Sequence, residues 1–160
     1  MKLAKLLGAD QIILDMKAGQ HWPAIVELVD QLTECQKLPK ELRPMILDAL
    51  KAREELVSTG IGSGVAIPHT FSNKIDEVVA IFGRSRDGID FEAVDHAPVH
   101  LIVLFIVPQQ NYQLHLRTLS AIAKLFTNAT IRLELAAADT CEEVLAILDS
   151  KPSRRPAPGV

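Results

Sequence analysis

Two kinds of apolar spacing alternate along the chain and predict a mixed α/β fold. Apolar residues recur every three or four positions over 25–35 and again over 42–49, which is typical of helices with one packed face. Nearly continuous apolar runs follow at 78–82 and 99–107, and such runs favour buried strands. Helical spacing then returns over 111–128. The predicted strands are therefore preceded and followed by helices.

Prolines indicate where the two early helices begin. Pro23 suits the first turn of one helix, and Pro44 suits the first turn of another that begins near Lys40. Proline is tolerated there because the first backbone N–H groups of a helix have no partner within it. Ahead of these helices, the segment 1–18 predicts a short helical or turn segment followed by a strand at 12–14.

The run 99–107 is the predicted central strand, because its Val, Ile, Leu and Phe content fits a strand covered on both faces. The run 78–82 is expected to end at Gly83, which leaves 84–88 as a polar turn. The residues 89–91 can add a further short strand.

Two shorter helices are predicted over 131–138 and 141–149. The order of elements implies an α/β fold in which a mixed β-sheet is flanked by helices on its faces. The chain is predicted to form a single domain over 1–150. The segment 151–160, with three prolines and three basic residues, is predicted to be a disordered C-terminal tail.

Composition excludes several classes of function. The 160 residues are 48% hydrophobic and 23% charged, with a formal net charge of -3 and only one Trp, one Tyr and five Phe. A chain without excess positive charge or many stacking aromatics is a poor candidate for binding nucleic acid. Its apolar runs are too short to cross a bilayer, so we expect no stable membrane insertion. Cys35 and Cys141 are expected to be buried thiols in a cytoplasmic protein.

Candidate chemistry concentrates in the glycine-rich segment that leads to His69. Gly60, Gly62 and Gly64 permit tight or left-handed backbone, and their exposed amides could face an anion. The apolar residues 65–67 predict a brief buried strand, and the following proline, which has no N–H group, is expected to end strand pairing. His69 is thus expected at a strand end, as a largely neutral imidazole that can act as a nucleophile.

The segment 53–70 resembles the active-site signature of the fructose/mannitol class of IIA domains in the bacterial phosphoenolpyruvate-dependent sugar phosphotransferase system. Glu54 fills the acidic position, Ile61 and Gly62 the apolar and small positions, and 65–69 the Val-Ala-Ile-Pro-His end of that signature. Thr70 stands where the family usually has a small residue, and we expect it to modulate the transfer.

Two more residues match the family's site. His115 opens a His-Leu-x-x-Leu segment in the first turn of the predicted helix, for which Asn111 is the expected N-cap. The resemblance implies that this histidine lies beside the phosphorylated one. It also implies that Arg53, which continues the apolar stripe of the second helix, contacts the phosphoryl group. The implied catalytic set is therefore His69, His115 and Arg53.

The resemblance implies a phosphocarrier with an α/β fold. His69 would accept a phosphoryl group from the histidine-containing phosphocarrier protein and pass it to a IIB domain, or hold it as a regulatory mark. No cofactor and no metal are implied. The residues 12–15, Ile-Ile-Leu-Asp, are most similar to the nitrogen-regulatory branch.

Two other classes of function stay open. A regulatory binding module could keep the fold and dock partner proteins, with phosphorylation of His69 only switching affinity or absent. A metal-dependent hydrolase is the third hypothesis, because His96 and His100 have the spacing of metal ligands. Their predicted positions in a loop and in a strand favour solvated or packing roles.

Overall fold

The computed structural model describes residues 3–56, 59–93 and 95–149, and within them a six-stranded sheet carries helices on both faces. The strands are β1 (Ile12–Ile13), β2 (Gly60–Gly62), β3 (Val65–Ala66), β4 (His69–Ser72), β5 (Val79–Ile89) and β6 (Val99–Pro108). The α-helices are α1 (His21–Glu34), α2 (Arg43–Leu56), α3 (Tyr112–Leu125), α4 (Ala129–Ala137) and α5 (Cys141–Asp149). Short 3₁₀ helices occupy Leu3–Leu6, Ala9–Gln11 and Lys40–Leu42. The predicted fold class is confirmed.

Strand β6 is central to the sheet, as the apolar run predicted. It pairs antiparallel with β5, and on its other side it pairs in parallel with β3 and then with β4. Strand β1 extends the sheet beyond β5 in parallel, and β2 pairs antiparallel with β3. In β6 every residue except the half-buried His100 is buried. Almost no polar residue occurs in β6 because helices cover both faces of the sheet.

Alternating residues of β6 belong to two separate apolar cores. Leu101, Val103, Phe105 and Val107 pack on one face with α3, α4 and α5. Ile102, Leu104 and Ile106 pack on the other face with α1 and α2. This alternation follows from the two-residue period of a strand. It also fixes the face on which each residue of the paired strand β4 lies, which matters for the site.

Strand β5 is longer than predicted. It does not end at Gly83 but continues through the expected turn to Ile89, with a register irregularity between Arg84 and Ile89. The turn prediction failed because Arg84 is buried rather than solvated, with only 2% of its surface exposed. Its guanidinium donates to the carbonyls of Leu14, Leu135 and Ala138. The arginine thus ties the sheet to the end of α4.

The predicted helices are all present, with small shifts at their ends. Pro23 and Pro44 lie in the first turns of α1 and α2, as expected. The two cysteines are free, but both are partly exposed, so the expectation of buried thiols was wrong in degree. The predicted tail at 151–160 lies outside the described residues.

Candidate functional site

His69 begins β4, so the prediction of a strand end was wrong. Pro68 interrupts pairing, as its missing N–H group requires, but its carbonyl still accepts a hydrogen bond from the Phe105 amide at 3.0 Å. The chain therefore stays beside β6, and regular pairing resumes at once with His69 opposite Phe105. Because β4 pairs only with β6 among the described strands, His69 lies at the margin of the sheet.

The orientation of the His69 ring is fixed by a hydrogen bond to the backbone. Nδ1 lies 2.9 Å from the carbonyl oxygen of Ile67. A carbonyl can only accept, so Nδ1 carries the hydrogen and Nε2 carries the lone pair. The half-buried ring therefore presents Nε2 as its nucleophilic nitrogen.

The surroundings of His69 favour its neutral form. Burial lowers the pKa of the imidazole, and the hydrogen bond to the Ile67 carbonyl opposes this in part. The positive charge of Arg53 lowers the pKa further, and the negative charge of Glu54 raises it. The net result is a pKa below the ordinary value, so the nucleophilic lone pair is available at neutral pH.

Arg53 lies in the last turn of α2, which packs against β4. The prediction that its side chain continues the packed stripe was wrong: Arg53 is exposed, and the buried residues of this helix are Ile46 and Leu50. Within the described parts of the chain, its guanidinium forms no ion pair with Glu54 or Glu55. The charge of Arg53 lowers the His69 pKa, and a guanidinium without an ion-pair partner among the described residues can bind an incoming anion.

His115 is half-buried in the first turn of α3, on the same face of the sheet as His69. That face follows from the register, because His69 pairs with Phe105, which packs beneath α3. Edge-to-face ring contacts continue from His69 to Phe71 at 6.3 Å and from Phe71 to Tyr112 at 6.0 Å. The start of α3 and the start of β4 thus share one corner of the molecule.

The residue before α3 is Asn111, as predicted, but it does not cap the helix with its side chain. It adopts a left-handed conformation with φ of 62°, and its side chain makes no capping hydrogen bond. Such a conformation is tolerated by asparagine and turns the chain sharply between β6 and α3. The Asn111 carbonyl instead accepts from the amides of Leu114 and His115, at 3.0 and 3.3 Å.

Thr70 lies on the opposite face of β4 from His69. It pairs with Ile106, which belongs to the core under α1 and α2, and only 6% of it is exposed. The hydroxyl therefore points away from the imidazole. This placement argues against a direct effect of Thr70 on a phosphoryl group at His69.

The glycine-rich segment forms a hairpin of β2 and β3 rather than an open anion loop. Gly62 and Gly64 have positive φ, as their positions predicted. At the tip, however, the amide of Ser63 donates to the Asp95 carboxylate at 3.2 Å. An amide already engaged by a carboxylate does not offer itself to a phosphoryl group.

Sequence reasoning missed the partners of Glu54 and His21. Their side chains meet at 2.6 Å, between His21 Nε2 and Glu54 Oε2, and the same carboxylate accepts from the amide and hydroxyl of Thr59. The two partners lie 33 positions apart on different helices, so no local spacing indicated the contact. Only the acidic position of the signature marked Glu54 as important.

A cavity of about 620 Å³ lies beside the His21 and Glu54 pair. Its lining includes Trp22, Lys51 and Asp90, but none of the three predicted catalytic residues.

The two histidines considered as metal ligands, His96 and His100, belong to other parts of the structure than His69 and His115. His96 is exposed in the loop before β6, and His100 Nδ1 donates to the Ser85 carbonyl at 2.8 Å. Among residues 3–56, 59–93 and 95–149, no group of three or more His, Cys, Asp or Glu side chains is arranged to hold a metal ion.

Comparison with known proteins identifies the class. The family model for the phosphoenolpyruvate-dependent sugar phosphotransferase system, EIIA 2, matches residues 5–151. The chain therefore belongs to this family, which confirms the resemblance. In the described parts of the chain, no helix is long and apolar enough to cross a membrane.

Similar proteins come from both the sugar-specific and the regulatory side of the family. The fructose-specific EIIABC component of Bacillus subtilis is 32% identical over 93% of this chain, although the chain spans only 23% of that protein. The nitrogen regulatory protein IIA-Ntr of Neisseria meningitidis superposes with a TM-score of 0.83 at 35% identity, covering 91% of this chain and 98% of that one.

A more distant structure shows the fold together with a partner. The complex of mannitol IIA with phosphorylated mannitol IIB of Escherichia coli matches with a TM-score of 0.73 at 21% identity, covering 89% of this chain and 96% of that one. At this identity the likeness concerns the fold alone. The described residues thus share the architecture of a IIA domain whose structure was solved in complex with phosphorylated IIB.

Proposed function

We propose that this protein is a cytoplasmic phosphocarrier that accepts a phosphoryl group on Nε2 of His69. The observation that carries the proposal is the hydrogen bond between Nδ1 and the Ile67 carbonyl, which leaves Nε2 unprotonated. The lowered pKa of His69 keeps the ring in this form at neutral pH. Family membership supplies the class of reaction.

The transfer balances without a metal or a nucleotide. The P–N bond of a phosphohistidine on the donor protein breaks as a P–N bond to Nε2 of His69 forms, and the lone pair of Nε2 becomes the new bond. The proton on Nδ1 stays, so the ring gains positive character. The hydrogen bond to the Ile67 carbonyl strengthens as that charge develops.

Arg53 and His115 would stabilise the transferring group. Phosphoryl transfer spreads negative charge over the equatorial oxygens, so catalysis depends mainly on position and electrostatics. The exposed guanidinium of Arg53 offers a planar set of donors. The imidazole of His115 would add a donor, and the start of α3 would add a favourable helix dipole at the same corner.

The partners we propose are the histidine-containing phosphocarrier protein as donor and a IIB domain or a regulatory target as acceptor. The nitrogen-regulatory branch is favoured by the match of this chain to nearly the whole of a nitrogen regulatory IIA-Ntr structure at 35% identity. The regulatory name of that protein also supports the second candidate, a module that docks partner proteins, with phosphorylation of His69 only switching affinity or absent.

Phosphorylation in a reconstituted system tests the proposal. Purified protein is incubated with phosphoenolpyruvate, the general enzyme I and the phosphocarrier protein, and its intact mass is measured. We expect the mass of one phosphoryl group to be added and then lost in acid, as for phosphohistidine.

Two variants make this test specific. His69→Ala should take up no phosphate while keeping its circular dichroism spectrum. His96→Ala removes an exposed histidine from a loop and should be phosphorylated like the parent protein. A folded parent protein that takes up no phosphate from an active donor would instead favour the docking module.

A further inference from the structure

A continuous path of hydrogen bonds joins His21, at the start of α1, to His69. His21 Nε2 lies 2.6 Å from a Glu54 oxygen, and Glu54 accepts from the Thr59 amide at 3.2 Å and from its hydroxyl. The Thr59 carbonyl accepts from the Ile67 amide at 3.0 Å, and the Ile67 carbonyl accepts from His69 Nδ1 at 2.9 Å. We infer that His21 is a positioning residue for His69, acting through Glu54 and the backbone of Thr59 and Ile67.

The Glu54 carboxylate is the part of this path that depends most on His21. Only 5% of the Glu54 side chain is exposed, and a buried carboxylate is stable only when donors surround it. Two of its donors come from Thr59 and the third from His21. Without the imidazole, the carboxylate would have to turn toward water. That rotation would lengthen or break its hydrogen bonds to Thr59.

Thr59 transmits the position of Glu54 to the nucleophile. It lies directly before β2, and its carbonyl is the acceptor for the amide of Ile67, in the short link between β3 and β4. A shift of Thr59 therefore moves the Ile67 peptide. The carbonyl of that same residue sets the rotation of the His69 ring and its protonated nitrogen.

The position of His21 is fixed by contacts with residues other than His69, His115 and Arg53. Its ring stacks on Phe91 with centroids 4.0 Å apart, and the preceding Gln20 forms a parallel bridge with Asp90. Its side chain is only 14% exposed. The donor is thus fixed by packing before it meets Glu54, which is what a positioning role requires.

The inference rests on the proposed phosphorylation of His69, and its test separates the two. His21→Ala removes the donor, and His21→Gln places an amide N–H near the position of Nε2. His100→Ala is the matched control, because it removes another half-buried imidazole bonded to a backbone carbonyl outside this path. Each variant is compared by the initial rate of phosphorylation from the phosphocarrier protein, and by the ¹⁵N shifts of the His69 ring without phosphate.

We expect His21→Ala to be phosphorylated roughly tenfold more slowly, because small misplacements of a reacting group cost about that much or more. Its His69 Nδ1 signal should also move toward that of an imidazole with mixed tautomers. His21→Gln should recover to within about twofold of the parent, since it restores a donor. His100→Ala should match the parent in both measurements.

The inference is overturned if His21→Ala keeps the rate and the His69 ring shifts of the parent protein. It is also overturned if His21→Gln is as slow as His21→Ala, with both folded, because the donor would then be irrelevant. A parent protein that takes up no phosphate rejects the proposed function, and the ring shifts then still decide whether His21 sets the tautomer of His69.

Discussion

Two nitrogens of one side chain have different environments, and this difference is the basis of the proposed chemistry. Nδ1 of His69 is held by the Ile67 carbonyl, and Nε2 is left with its lone pair. The identity of His69 was predictable from the residues before it. The choice of nitrogen was not, because it depends on a carbonyl whose direction follows from the way the chain passes Pro68 beside β6.

The charge of Arg53 should be visible in the titration of His69. Burial and Arg53 lower the pKa of His69, and Glu54 raises it. Replacement of the guanidinium in Arg53→Met should therefore raise this pKa, measured by NMR titration of the ring. Arg43→Met is the control, because Arg43 belongs to the same helix but binds Asp30 at 2.6 Å. An equal pKa in the Arg53→Met variant and the parent would contradict the proposed position of Arg53.

The lowered pKa of His69 predicts that the folded protein loses stability as the pH falls below about 6.5. The folded protein disfavours the protonated ring, so between the folded pKa and the unfolded value of about 6.5 the unfolded chain binds more protons. The contribution of His69 to stability is complete above about pH 6.5 and is lost as the pH falls toward the lower, folded pKa. In denaturant unfolding, His69→Gln should therefore show a weaker decline of stability over this window than the parent. An identical decline would show that the ring is not desolvated.

At the scale of elements, the helices and the central strand were predictable, because their apolar spacing is long and regular. Strand β5 was predicted too short. Its second half contains Arg84, Arg86 and Asp87 between two glycines, which is the usual composition of a turn. What overrides this pattern is distant in sequence: the end of α4 supplies carbonyls that hold Arg84 inside the protein.

Arg84 should therefore matter more for stability than its neighbour Arg86. Arg84→Met leaves buried carbonyls of Leu14, Leu135 and Ala138 without their donor, and we expect a loss of roughly 2–4 kcal/mol in the free energy of unfolding. Arg86→Met removes an exposed ion pair with Asp15 and should cost no more than about 0.5 kcal/mol. Urea unfolding of both variants measures the difference. Equal losses of stability would contradict the stabilising role of the hydrogen bonds from Arg84 to the end of α4.

At the scale of the described chain, the residues proposed to act with His69 come from helices on opposite faces of the sheet. The register puts its ring on the face that carries α3, where His115 lies, whereas Arg53 and Glu54 come from α2 on the other side. A site at the margin of the sheet can receive side chains from both. Family resemblance predicted the set His69, His115 and Arg53, but not the link to His21, since that contact exists only once α1 and α2 pack together.

The most direct measurement of the central claim is the identity of the phosphorylated atom. Protein labelled with ¹⁵N in its histidine rings is phosphorylated through the phosphocarrier protein, and the nitrogen coupled to phosphorus is located by heteronuclear NMR. The account predicts one phosphoryl group, attached to Nε2 of His69, with the proton retained on Nδ1. Phosphate on Nδ1, or on another histidine, would contradict it.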